Sequence, residues 1–204
     1  MKTYDVESKL EIERGLLASG YKYICGVDEV GRGPLAGPVV CAAVIMPLDD
    51  IIEGVDDSKK LSAKRREDLS EKIQEIAIGA HICCVERNII DEINILEATK
   101  LCMKQAVEGL KVTPDVVICD GNMTLDINIP QRSFIKGDAR SYTIGAASIV
   151  AKVYRDRLMC EYAKQYPQYG FERNAGYGTA AHIQAIKQYG LCPIHRRSFT
   201  SKWQ

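Results

Sequence analysis

Apolar residues fall into two kinds of run along this chain. "YKYICGVDE" and "GPVVCAAVIMP" are dense in strand-forming residues and joined by a glycine-rich turn, which predicts two adjacent strands. "LSAKRREDLSEKIQEIA" repeats at helical spacing instead. Leu69, Ile73 and Ile76 share one face, and Ser62 is placed to cap the first turn. "AHICCVE" predicts a third strand. A helix is expected to start near Asn94, with Glu97 three residues on in a box-like arrangement and Ile95, Cys102, Ala106 and Leu110 as its apolar stripe. "DVVICD" is apolar until Asp120, the pattern of a central strand covered on both faces. "RSFIKGD" predicts a further short strand ending near Asp138. "SYTIGAASIVAKVYRDRLMCEYAKQY" reads as a long helix whose Gly145, Ala146 and Ala147 would let it approach a sheet closely. A last helix runs from about Thr179 to Tyr189 and stops at Gly190. The order strand, strand, helix, strand, helix, strand, strand, helix, helix predicts an α/β domain with a mixed sheet. Its early part is antiparallel and its later strands are reached through helices.

Composition narrows the setting. The chain has 204 residues, 46% hydrophobic and 26% charged, an ordinary globular balance. No apolar run approaches the roughly 20 residues of a membrane span, and the charged N-terminus "MKTYDVESKLEIERG" is no secretory signal. The eight cysteines sit mostly inside apolar runs and form no Cys-x-x-Cys, so they read as buried thiols of a reducing cytoplasm. The formal net charge is zero, which argues against attachment to nucleic acid by bulk charge alone. The distribution is uneven: from Asn174 to the C-terminus there is no Asp or Glu, while Lys187, Arg196, Arg197 and Lys202 are present. A basic face and a chance asymmetry explain this equally well.

The candidate chemistry lies in acids that end apolar strands: Asp28 with Glu29, Asp120, and Asp138. Each alone is an ordinary solvated turn. Together they stand at three strand ends, which converge in a sheet. Four clustered carboxylates would repel and raise one another's pKa. Two divalent cations would offset that charge, and all-oxygen ligands suit hard ions such as Mg²⁺ or Mn²⁺. A pair of such ions serves in-line displacement at phosphorus. Successive strand residues point to opposite faces, so Asp28 and Glu29 share a site only if the strand twists, bulges or ends there.

"GRGPLAG" matches the dinucleotide fingerprint G-x-G-x-x-G/A nominally, at Gly31, Gly33 and Ala36, but Pro34, Pro38 and a strand follow where that motif needs a helix. Exposed backbone able to approach a ligand, or a tight hairpin with none, each explains the glycines.

"GVDEVGRGPLAGPVV", "DDSKKLS", "INILEATKLCM", "DGN", "KGDA", "AASIVAKVYRD", "YPQYGF", "GYGT" and "HRRSF" occur in this order from about Tyr23 to Phe199. Together they closely resemble type 2 ribonuclease H, ribonuclease HII. The resemblance implies a ribonuclease H-like fold: a mixed five-stranded sheet flanked by helices, with a C-terminal helical region. It implies one catalytic domain over 1–204, in which about 160–204 form a helical, substrate-binding portion. Members cleave the RNA strand of RNA–DNA hybrids and cut 5′ of single ribonucleotides in duplex DNA, leaving 5′-phosphate and 3′-hydroxyl ends, with Mg²⁺ or Mn²⁺. Asp28, Glu29, Asp120 and Asp138 match the family's four metal-binding catalytic acids. Gly31, Arg32 and Gly33 match the motif that contacts the ribonucleotide around its 2′-hydroxyl, the group that distinguishes RNA from DNA. Tyr177 matches the tyrosine that packs against the sugar at the RNA–DNA junction. Lys59, Lys60, Arg196 and Arg197 are expected to hold phosphates. Asn174-Ala175 departs from the family's usual His-Lys pair, which implies one basic contact fewer near Tyr177. The partners expected are the hybrid and ribonucleotide-containing duplex DNA, met by a cytoplasmic monomer with no membrane association. Type 3 ribonuclease H shares the fold but lacks the glycine-arginine-glycine motif; a non-catalytic hybrid-binding module is the alternative outside enzymes.

Overall fold

The computed structural model describes residues 6–56 and 58–203. Five strands, β1 (Ile24–Val30), β2 (Val39–Ile45), β3 (Gly79–Val85), β4 (Val116–Asp120) and β5 (Gln131–Phe134), form one sheet in the order β3-β2-β1-β4-β5. β1–β2 and β2–β3 are antiparallel, while β1–β4 and β4–β5 are parallel. The mixed five-stranded sheet predicted from the residue pattern is therefore present. The helices, in chain order, are α1 (Val6–Lys9), α2 (Glu11–Ala18), α3 (Ala63–Ile76), α4 (Arg87–Glu108), α5 (Gly137–Arg140), α6 (Tyr142–Gln165), α7 (Phe171–Asn174), α8 (Ala180–Tyr189) and α9 (Arg197–Thr200).

Alternation along the strands decides what each face buries. Cys25, Val27, Cys41, Ala43, Val117 and Cys119 point to one side and pack with Cys102, Met103 and Ala106 of α4. Val40, Ala42 and Val44 point to the other and pack with Ala146, Ala147 and Val150 of α6 and Leu69 and Ile73 of α3. α6 lies very close to β1. A Cβ added at Gly26 would stand 2.4 Å from the Thr143 carbonyl carbon, so only glycine admits the helix there. Ala146 and Ala147 face the sheet side as expected. Gly145 does not: it faces the Asp138 carbonyl and Val55. α3 is capped by Ser62, whose hydroxyl accepts from the Arg65 amide at 3.3 Å, a device contributing about 1 kcal/mol. α8 is capped by Thr179 and ends at Gly190, as anticipated.

Three regions differ from expectation. The helix expected near Asn94 begins at Arg87, and Asn94 (φ 67°, ψ 166°) interrupts it. Asn94 Oδ1 accepts from the Leu96 and Glu97 amides, so it recaps the second half, the part the pattern had revealed. The N-terminal helices α1 and α2 were not anticipated. Asp138 does not end a strand; it lies in the first turn of α5, four residues beyond β5.

Beyond the sheet, Tyr169, Phe171, Ile186, Cys192 and Ile194 form a separate apolar cluster with Leu35 and Ala36 of the glycine-rich loop. The C-terminal helices thus close over that loop. No helix among the described residues is long and apolar enough to cross a membrane.

Candidate active site

β1 and β4 run parallel in the register Gly26↔Ile118 and Val27↔Cys119. Asp28 and Asp120 are the next pair, on the α6 face with Ile24, Val116 and Ile118. Lys136, in the left-handed conformation (φ 58°), turns the chain after β5 and starts α5. The Gly137 amide then donates to Asp120 Oδ1 at 2.6 Å, which ties the turn carrying Asp138 to the end of β4. Carboxylate oxygens of Asp28, Asp120 and Asp138 consequently lie within 4.8 Å of one another.

Glu29 belongs by pleat to the opposite face, paired with Cys41 of β2. Because the strand ends there, its charge still reaches both Asp28 and Asp120. Asp28 Oδ1 accepts from the Glu29 amide at 2.8 Å. Burial, then Glu29, hold the Asp28 carboxyl well above the usual carboxylate range, with Asp120 adding to the effect. Burial raises Glu29 as well, partly offset by Arg32, whose Nη1 lies 3.5 Å from Glu29 Oε1. Even the Cys119 thiol beneath them is pushed up to about 12, by burial and then by Glu29, Asp28 and Asp120. Glu29 Oε2 is buried with no hydrogen-bond partner. Crowded acids, an orphaned carboxylate oxygen and an all-oxygen donor set fit hard divalent cations.

The N-terminal helices brace the Asp138 turn. Lys9 Nζ, nearly buried, donates to the Ala139 carbonyl at 2.6 Å and to Asp56 Oδ1 at 2.5 Å. Glu13, fully buried, accepts from the Ser141 hydroxyl at 2.5 Å and the Thr143 amide at 3.0 Å.

A groove of about 160 Å³ opens beside the acids, lined by Glu29, Ser58, Lys59, Ser148, Lys152 and Tyr177. Lys59 Nζ lies 3.6 Å from Asp138 Oδ2 and is largely exposed. Lys60 belongs to the same 3-10 turn, but its side chain lies outside the described residues. Sequence reasoning missed Ser148 and Lys152. They stand one helical turn apart in "AASIVAK", and that i,i+4 spacing on a helix facing the strand ends was the available signal.

The glycine-rich loop is held from behind by two buried arginines. Arg155 donates to the carbonyls of Ala36, Pro38 and Ala175. Arg196 donates to those of Gly31, Arg32 and Gly37 at 2.6–3.0 Å. Gly31 has φ +95°, and a Cβ there would lie 2.3 Å from Arg155 Nε; glycine is required on both counts. With its carbonyls turned inward, the loop presents the Arg32 and Gly33 amides, for which no acceptor exists among the described residues. The Tyr177 ring, nearly half exposed, stands over Gly33; a Cβ added to that glycine would sit 3.5 Å from it.

Arg196 therefore does not hold phosphate from the surface. It is fully buried, and burial with the like charge of Arg155 pushes its pKa down to about 9, still protonated at neutral pH. Arg197 is exposed, but it lines a different hollow, with Arg87 and Pro193, rather than the groove beside the acids. Asn174 makes local bonds: its Nδ2 donates to the Tyr169 carbonyl and its Oδ1 accepts from the Gly176 amide.

A mixed sheet with acids clustered at and just beyond its strand ends, and a groove beside them, is an arrangement suited to hard divalent cations. The chain belongs to the ribonuclease HII family: the profile of Ribonuclease HII matches residues 25–202. It is 55% identical over 195 residues to Ribonuclease HII of Ligilactobacillus salivarius, covering 96% of this chain and 76% of that one. It is 57% identical over 191 residues to Ribonuclease HII of Acetivibrio thermocellus, covering 94% and 75%. The crystal structure of ribonuclease H2 from Pyrococcus horikoshii superposes with a TM-score of 0.73 at 30% identity, covering 87% of this chain and 93% of that one. The protein is thus a ribonuclease H type 2 hydrolase.

Proposed function

We propose that this enzyme hydrolyses the RNA strand of RNA–DNA hybrids and also cuts on the 5′ side of single ribonucleotides embedded in duplex DNA, leaving 5′-phosphate and 3′-hydroxyl ends. The observation that carries the reading is the meeting of two features at one groove. Glu29 and Tyr177 line the groove together; Lys59 in the same lining lies 3.6 Å from Asp138, and Tyr177 stands over Gly33 of the braced loop. Asp28, Glu29, Asp120 and Asp138 would hold two divalent cations, Mg²⁺ or Mn²⁺. Such ions, when bound, make water a better nucleophile at neutral pH and stabilise charge on the leaving oxygen.

The chain's own residues do the rest. The Arg32 and Gly33 amides hydrogen-bond the ribose hydroxyls, and the Tyr177 ring packs against the sugar. A 2′-hydroxyl is both donor and acceptor, so amides fixed in place recognise it at a single nucleotide. Lys59 and Lys152 neutralise the adjoining phosphates. Fixing loop and acids relative to one another would hold the scissile phosphate at a set distance from the recognised sugar. The portion from about 160 onward serves substrate binding by closing over the loop, and the enzyme acts as a monomer.

The test is cleavage of duplex DNA carrying one ribonucleotide, with Mg²⁺ and Mn²⁺ supplied separately and the product ends mapped. Incision 5′ of the ribonucleotide is expected with both. Cuts on its 3′ side, or equal cutting of all-DNA duplex, contradict the reading.

A further inference from the structure

Two buried histidines lie between the glycine-rich loop and Tyr177, and nothing in the hydrolysis uses them. His182 and His195 are at most 1% exposed, with their Nε2 atoms 3.0 Å apart. At one end of the pair, the Cys192 amide donates to His195 Nδ1 at 2.9 Å, with the Cys192 thiol at 3.1 Å from the same nitrogen. At the other end, His182 Nδ1 lies 2.9 Å from the Tyr177 carbonyl oxygen.

Both ends dictate the same proton arrangement. A backbone amide can only donate, so His195 Nδ1 is bare and its Nε2 carries the hydrogen. A carbonyl can only accept, so His182 Nδ1 carries a hydrogen and its Nε2 is bare. The result is one directed chain: Cys192 N–H to His195, His195 Nε2–H to His182, His182 Nδ1–H to Tyr177. A further proton on His182 Nε2 would set N–H against N–H. Tyr169 and Phe171 pack edge-on at 4.9 Å from His195 and 5.3 Å from His182. Among the described residues the polar groups bonded to the pair are each other, the Cys192 amide and thiol, and the Tyr177 carbonyl.

The chain continues into the loop. His195 bridges Ala36 through the backbone, the Gly37 amide donates to the Ile194 carbonyl at 2.9 Å, and the Arg196 amide donates to that of Leu35 at 2.8 Å. Arg196 then grips Gly31, Arg32 and Gly37. We propose that His182 and His195 are positioning residues: as a neutral, directed pair they set the distance between the Tyr177 ring and the Gly31-Arg32-Gly33 loop, so that the two close on one sugar. This rests on the reading of Tyr177 and the loop as ribonucleotide contacts.

The test joins a spectroscopic and a kinetic measurement on the full chain. Long-range ¹H–¹⁵N spectra at neutral pH are expected to report a bare Nδ1 for His195 and a bare Nε2 for His182, with exposed His81 as reference. On duplex DNA with one ribonucleotide, His182→Leu is expected to raise KM about tenfold, equivalent to about 1.4 kcal/mol, while kcat falls less than about twofold. His182→Asn, whose amide can donate to the Tyr177 carbonyl, is expected to recover most of that loss. Tyr177→Ala is assayed beside them. If it raises KM and His182→Leu does not, the positioning role is overturned and the sugar contact stands. If Tyr177→Ala leaves KM unchanged, both fall. An imidazolium or the reversed tautomers at neutral pH overturn the relay directly.

Discussion

The two ends of the groove bury charge in opposite ways. At the strand ends, Asp28, Asp120 and Asp138 crowd together with Glu29, one of whose oxygens is unpartnered. Behind the glycine-rich loop, Arg155 and Arg196 are just as buried, yet their guanidinium groups donate to loop carbonyls throughout. Removing charge from water is costly unless hydrogen bonds replace it. The arginine end meets that cost within the chain. The acid end meets it only in part: Arg32 and Lys59 stand 3.5 and 3.6 Å from Glu29 and Asp138, Glu29 Oε2 has no partner, and a ligand of opposite charge would relieve it. One end is satisfied by its own chain; the other would be completed by binding cations. Strain of this kind concentrates where function resides.

The contrast is sharpest in Asp28→Asn. Loss of one acid is expected to lower hydrolysis by about a thousandfold, the scale of removing a principal transition-state charge partner; single-turnover cleavage in Mn²⁺ measures it. At the arginine end, Arg196→Met leaves three carbonyls without their donor and is expected to cost about 3 kcal/mol, read from urea unfolding. Arg196→Lys should recover little, because one ammonium cannot span the same fork of acceptors. Lys9→Met removes the donor to the Ala139 carbonyl next to Asp138. It is expected to lower kcat about tenfold with KM nearly unchanged, since a small displacement of a reacting group is enough.

The remaining effect is in pH. Burial and His182 push His195 down to about 4 from 6.5. The unfolded chain therefore binds this proton more readily than the folded one. Stability is fully present above about pH 6.5 and falls as pH drops toward 4. Thermal melts across that window are expected to show the decline, with a shallower slope in His195→Gln.

Much of this was legible in the residues, for reasons that differ by region. β1, β2 and β4 announce themselves because buried strands must be apolar, and the acids near the ends of β1 and β4 stand out against that pattern. Asp28 and Asp120 could be paired in advance because parallel strand ends converge. Asp138 was placed at the right spot on the wrong element: no periodicity betrays a four-residue helix started by a left-handed lysine. Arg196 was misread because charge in a sequence says nothing of exposure. Its partners lie about 160 residues away, in a loop whose carbonyls are hidden from any local pattern. The braces Lys9 and Glu13 were missed likewise, since charged residues near a terminus look solvated until the fold buries them.

The central claim is that the acid end is unfinished without cations. Melting wild-type and Asp28→Asn protein with and without Mn²⁺ tests it most directly. Without metal, relief of repulsion is expected to raise the melting temperature of Asp28→Asn above wild type by about 2–4 °C, corresponding to about 1 kcal/mol. With Mn²⁺ the order should reverse, because wild type gains stability by binding and the variant gains little. A variant that melts below wild type without metal and gains as much from Mn²⁺ would contradict the account.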